Sequence, residues 1–177
     1  TGTTVSANPT TTTTYTVTGT DGNGCSNTQT ITINVNHLPT ISIAGSNNIC
    51  NGVPTTLTAS GATSYSWSPS TGLDNTTGNI VIANPTSTTT YTVTGIDNGC
   101  SNTQTITITV DGLPTISIAG ITDICQNQST SLTASGAATY TWSPATGLDN
   151  TSSATVSANP TITTTYTITG TDAGGCS

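Results

Sequence analysis

The chain contains no Lys, no Arg, no Glu, no Phe and no Met. With no cation beyond a protonated His37, nothing can neutralise a phosphate backbone, and nucleic acid is excluded as a partner. The same lack argues against nucleotide phosphates and anionic lipid surfaces, both of which call for Lys or Arg. No apolar run approaches the roughly 18 residues of a membrane span, so membrane insertion is not expected. Charged residues make up 4% of the chain, all of them Asp, for a net charge of -7. Soluble domains carry roughly 25%. Solubility must rest instead on hydroxyls and amides, and 48 of the 177 residues are Thr.

Self-comparison gives the strongest positive signal. Leu38-Pro39-Thr40-Ile41-Ser42-Ile43-Ala44-Gly45 returns as Leu113-Pro114-Thr115-Ile116-Ser117-Ile118-Ala119-Gly120, an offset of 75. Trp67 and Cys50 return at the same offset as Trp142 and Cys125. The spacing divides the chain into residues 1–37, the C-terminal half of a repeat; 38–112, a complete repeat; and 113–177, a repeat lacking its last strand. Half a β-domain cannot bury a core, so the chain is expected to be a window on a longer array. A unit of about 75 residues exceeds a solenoid coil and suits a small independent domain.

Within each repeat the apolar residues alternate with period two, the signature of strands. Ile106, Ile108 and Val110 share one face while Thr105, Thr107 and Thr109 share the other. Tyr65 and Trp67 alternate with Ser64, Ser66 and Ser68. No apolar pattern of helical period occurs, and Gly, Pro and Asn punctuate the segments. Six strands per repeat are predicted, with a further short one near Leu73-Asp74-Asn75. The fold class is all-β: tandem immunoglobulin-like sandwiches. Trp67, Trp142, Tyr65, Tyr140, Tyr15, Tyr91 and Tyr166 are the expected core aromatics.

So thin a core calls for a covalent staple. Two Cys per repeat suggest a disulfide and an oxidising compartment. The expected pairs are Cys50–Cys100 and Cys125–Cys176, with the partner of Cys25 outside the window. If a seventh strand intervened, the two cysteines of a repeat would lie at opposite ends. Bridges between neighbouring repeats, or free thiols, would then be favoured. Zinc is the weaker reading, because there is no CxxC spacing and the single His is remote.

The blocks Tyr65-Ser66-Trp67-Ser68-Pro69, Asn84-Pro85-Thr86, Thr89-Thr90-Tyr91-Thr92-Val93-Thr94-Gly95 and Gly99-Cys100-Ser101 carry a family resemblance. They resemble the immunoglobulin-like or PKD-like tandem repeats of large secreted surface proteins of Bacteroidota, including adhesins of the gliding-motility type. The resemblance spans the whole chain. It implies sandwich domains, an extracellular location on the cell surface and export by the type IX pathway.

Catalysis is not expected: general acid–base work needs paired groups in a pocket, and His37 sits in a linker where the next copy has Gly112. Asp21, Asp97 and Asp172 recur before the last Cys of each repeat, and Asp74 and Asp149 recur in Gly-Leu-Asp-Asn. Carboxylate, Asn and carbonyl oxygens suit calcium, but Asp beside Gly or Asn is first a turn former. No other cofactor is expected. Asn75-Thr76-Thr77, Asn127-Gln128-Ser129 and Asn150-Thr151-Ser152 match the glycan acceptor pattern. The expected function is a structural stalk or filament outside a bacterial cell, whose partners are neighbouring repeats and other copies in a fibre. The short, Pro-stiffened linker Asn36-His37-Leu38-Pro39 would fix the rotation between neighbours. Carbohydrate-binding repeats and a fibre built by strand sharing are the alternatives.

Overall fold

The computed structural model describes residues 2–177, and every regular element in them is a β-strand. The first two are β1 (Thr13–Thr20) and β2 (Ser26–Ile33), paired as an antiparallel hairpin. Seven follow: β3 (Ser42–Ala44), β4 (Asn48–Cys50), β5 (Thr55–Ser60), β6 (Ser64–Ser68), β7 (Ile80–Ala83), β8 (Thr89–Asp97) and β9 (Cys100–Asp111). The last five are β10 (Ser117–Gly120), β11 (Thr130–Ser135), β12 (Thr139–Ser143), β13 (Thr155–Ala158) and β14 (Thr167–Thr171).

In residues 38–112 the strands form two sheets, ordered β3-β5-β7 and β4-β9-β8-β6. The alternation decides what lies between them. Leu57 and Ala59 of β5, Val81 and Ala83 of β7, Trp67 of β6, Tyr91 and Val93 of β8 and Ile108 of β9 form one buried cluster. The intervening hydroxyls face out and pair across strands, as between Thr90 and Thr107 (2.8 Å) and between Ser42 and Ser60 (2.7 Å). This is a β-sandwich with one greasy and one hydroxylated face per strand. Buried aromatics keep their polar ends satisfied. Trp67 Nε1 donates to the Gly78 carbonyl (3.0 Å), and the Tyr91 hydroxyl donates to that of Thr71 (2.7 Å).

The same plan recurs 75 residues on, in the sheet β10-β11-β13 and the pair β12-β14. Leu132, Ala134, Tyr140, Trp142, Val156 and Ala158 make its core, with Tyr166 and Ile168 packed half-buried against it. Trp142 Nε1 donates to the Ser153 carbonyl (2.9 Å). No strand of the described residues stands here where β9 stands in the preceding sandwich.

Two expectations need correction. Tyr15 is not a core residue among the described residues: it is 39% exposed, because no second sheet of those residues covers the β1–β2 hairpin. The additional strand of the complete repeat is β4, not a segment near Leu73. Leu73 makes only an isolated bridge to Ala83.

Candidate functional site at the repeat junction

The region where one repeat meets the next concentrates the chain's covalent chemistry. β4 builds it. Its three residues run parallel to the C-terminal end of β9, in the register Asn48↔Thr109, Ile49↔Val110 and Cys50↔Asp111. Ile49 anchors the strand in the core. Asn48 Nδ2 donates to Asp111 Oδ2 (3.0 Å), and the amide of Asn51 donates to the Asp111 carbonyl (2.8 Å). Cys50 is thereby held at the end of the sheet that faces the following repeat.

From the other side comes the turn after β14. The Asp172 carboxylate accepts the amide of Cys176 (2.9 Å), and the Asp172 amide donates to the Cys176 carbonyl (2.9 Å). Gly174 lies against the Asp111 carboxylate so closely that a Cβ there would stand 3.2 Å from Oδ2. Cys176 is buried, and Cys50 and Cys176 form a disulfide with their Cα atoms 5.5 Å apart.

This corrects the expected pairs Cys50–Cys100 and Cys125–Cys176. Parallel pairing sets Cys50 beside Asp111, whereas Cys100 opens the same strand at its far end. Eleven residues of extended chain separate those ends by about 36 Å. A bond that needs Cα atoms within about 7 Å cannot close inside the repeat. It closes across the junction instead. Cys25, Cys100 and Cys125 are free thiols.

The preceding junction repeats the contact. Asn36 occupies the position that Asp111 takes one repeat later, and the turn Asp97–Cys100 abuts it as the Asp172–Cys176 turn abuts Asp111. Asn36 Nδ2 donates to the Asn98 carbonyl (2.9 Å), and Cys100 Sγ lies 3.7 Å from the Asn36 carbonyl oxygen. Asn102 Nδ2 holds the carbonyl of the buried Pro39 (2.9 Å), fixing the linker against β9. His37 is exposed between these contacts.

The carboxylates singled out in the sequence accept hydrogen bonds from their own loops. Asp21 takes the amides of Asn23 and Cys25 (both 2.9 Å), and Asp74 takes those of Asn75 and Ile82 (both 2.8 Å). Asp149 takes the amide of Ser157 (2.7 Å), and Asp97 accepts from Asn98 Nδ2 (3.0 Å). Among the described residues, no three of His, Cys, Asp and Glu come together as a metal site would require. Asp111 was not singled out in the sequence, because its role depends on β4 lying beside it. No helix of the described residues is long and apolar enough to cross a membrane.

No family model matches the chain, and no curated protein matches it.

Proposed function

We propose that the chain is a load-bearing structural array. Its immunoglobulin-like repeats stack end to end to form a stalk or filament outside a bacterial cell, without enzymatic activity. The observation that carries this reading is the Cys50–Cys176 bond, which ties the start of one repeat to the end of the next. A disulfide is compatible with an oxidising environment, and a cross-junction disulfide serves a module whose task is to hold its neighbour in place. Three further features support it. Each junction lies at one end of β9, so successive repeats advance along that strand. The linker is held by Asn102. The Trp67 and Trp142 rings are 4% and 2% exposed, leaving no broad aromatic face for stacking on a sugar.

The reading is tested by small-angle X-ray scattering on this chain and on a version carrying one more copy of residues 38–112. The expected result is a maximum dimension that grows by about 40 Å, the length of a twelve-residue strand. Growth in girth without growth in length would refute end-to-end stacking. Immunogold labelling of intact source cells, with label on the outer surface, checks the location.

A further inference from the structure

Asn followed by any residue but Pro and then by Ser or Thr is the acceptor pattern for an N-linked sugar. Asn8, Asn84 and Asn159 each precede Pro and are ruled out. Asn75-Thr76-Thr77, Asn127-Gln128-Ser129 and Asn150-Thr151-Ser152 qualify, and the fold sorts them. The first and last lie 75 residues apart, in the run that crosses from β6 to β7 and in its copy between β12 and β13. Each is stitched to its sandwich through the middle residue. The Trp67 amide donates to the Thr76 carbonyl (2.8 Å), and the Trp142 amide donates to that of Thr151 (2.8 Å). Thr76 and Thr151 are half-buried, while Asn75, Thr77, Asn150 and Ser152 are exposed. The acceptor Asn and its hydroxyl partner thus stand outward on a fixed piece of backbone.

The side chains are set as well. Asn150 Oδ1 accepts the amides of Ser152 (2.6 Å) and Ser153 (3.1 Å) and the hydroxyl of Ser152 (3.2 Å). Asn75 Oδ1 accepts the amide of Thr77 (3.1 Å). With the oxygen tied into the turn, the nitrogen on the same carbon is turned out of it. Asn75 Nδ2 rests on the exposed Asp74 carboxylate (3.1 Å). Beside Thr77 an open groove of about 790 Å³, walled by Ser60, Thr63, Ser64, Tyr65 and Asn79, offers hydroxyl, amide and aromatic groups to a sugar attached at Asn75. Asn127 differs. Its backbone is left-handed, with φ at +65°, and among the described residues it has no hydrogen bond to Ser129. It takes the position of Gly52, just beyond the cysteine that faces the following repeat, where a sugar would crowd the junction.

We propose that Asn75 and Asn150 each carry an N-linked sugar, on the β6–β7 crossover and its copy, and that Asn127 stays bare. The proposal rests on the reading of the chain as extracellular and adds a modification to it. The sugar comes from a diphosphate-activated donor, carried on a lipid or a nucleotide, through a cellular glycosyltransferase. Asn Nδ2 bonds to the anomeric carbon of the sugar. The bond from that carbon to the diphosphate oxygen breaks, and the proton lost by nitrogen ends on the departing diphosphate. The gain to a stalk follows from composition. With 4% of its residues charged, the surface has little but hydroxyls and amides to keep copies apart. A glycan adds hydrated bulk on the crossovers and leaves the junctions clear.

The test is mass spectrometry with electron-transfer fragmentation, which leaves side-chain sugars in place, on the chain purified from its source cells. Sugar mass is expected on Asn75 and Asn150 in most copies and none on Asn127. A single large increment at each site marks block transfer from a lipid carrier, and a series of single-sugar increments marks nucleotide donors; either supports the proposal. Thr77→Val, made in the source cells, should strip the sugar from Asn75 and leave that on Asn150, whereas Thr77→Ser should retain both. Thr77 is exposed, so near-ultraviolet signals from the two Trp should be unchanged in each variant. Bare Asn75 and Asn150, sugar on Asn127 to the same extent, or sugar on Asn75 that survives Thr77→Val overturns the proposal. Bare sites on a chain that immunogold places at the outer surface sink the glycans alone. Label confined to the cell interior sinks the extracellular reading on which they rest.

Discussion

Gly61 closes the turn between β5 and β6 in a conformation that L side chains rarely adopt, with φ at +98°, and a Cβ there would overlap the Thr40 carbonyl oxygen. Because the obstacle is backbone rather than a movable side chain, Gly61→Ala is expected to destabilise the sandwich by at least about 2 kcal/mol, read from the midpoint of urea unfolding. Tyr91 makes a second prediction at this scale. Burial raises its hydroxyl above the ordinary value of 10.0. The unfolded chain therefore releases that proton at lower pH than the folded one. The stabilisation is complete below pH about 10 and is lost as pH rises through the folded value. Thermal melts between pH 9 and 12 should show the midpoint falling above about 10. Tyr91→Phe should flatten the fall and lower stability at neutral pH by about 1 kcal/mol, through the lost bond to the Thr71 carbonyl.

Among the elements, β4 has an influence out of proportion to its three residues. Ile49 is its one deeply buried side chain. Ile49→Ala is expected to cost roughly 2–4 kcal/mol and to slow oxidation of Cys50 with Cys176, because the cysteine loses its fixed place beside Asp111. Quantifying free thiols during refolding would check this. The contrast with longer strands shows what the sequence could and could not reveal. β8 and β9 announce themselves, since Tyr91, Val93, Ile106 and Ile108 alternate with Thr over enough residues for the period to be unmistakable. Asn48-Ile49-Cys50 has one apolar residue and no period, and parallel pairing between distant segments leaves no local trace. The cysteine pairing turns instead on the run between β6 and β7. Both strands point from the Cys100 end of the sandwich toward the Asp111 end, so residues 69–79 cross back between them and leave Cys50 and Cys100 at opposite ends. The turn carboxylates were easier to read, because Asp binds the amides of its own loop.

For the whole molecule, the two cores are separate clusters with separate strands, so the bond across the junction adds rigidity between sandwiches more than it completes either one. Cys50→Ser is expected to leave both sandwiches folded, with unchanged near-ultraviolet signals from Trp67 and Trp142. Its scattering profile should show a wider spread of inter-repeat distances. The sulfur bridge also redirects tension. A pull on the backbone before Cys50 crosses directly to Cys176 and passes by the 126 positions that separate them in sequence. The strands β5 to β14 hang on that crossing as a slack loop, carrying no strain while the bond holds. Cutting it with a reductant during single-molecule stretching should set free a hidden length on the order of 400 Å. A tether that is short and inextensible in an oxidising medium would become, in a reducing one, a spring that unravels.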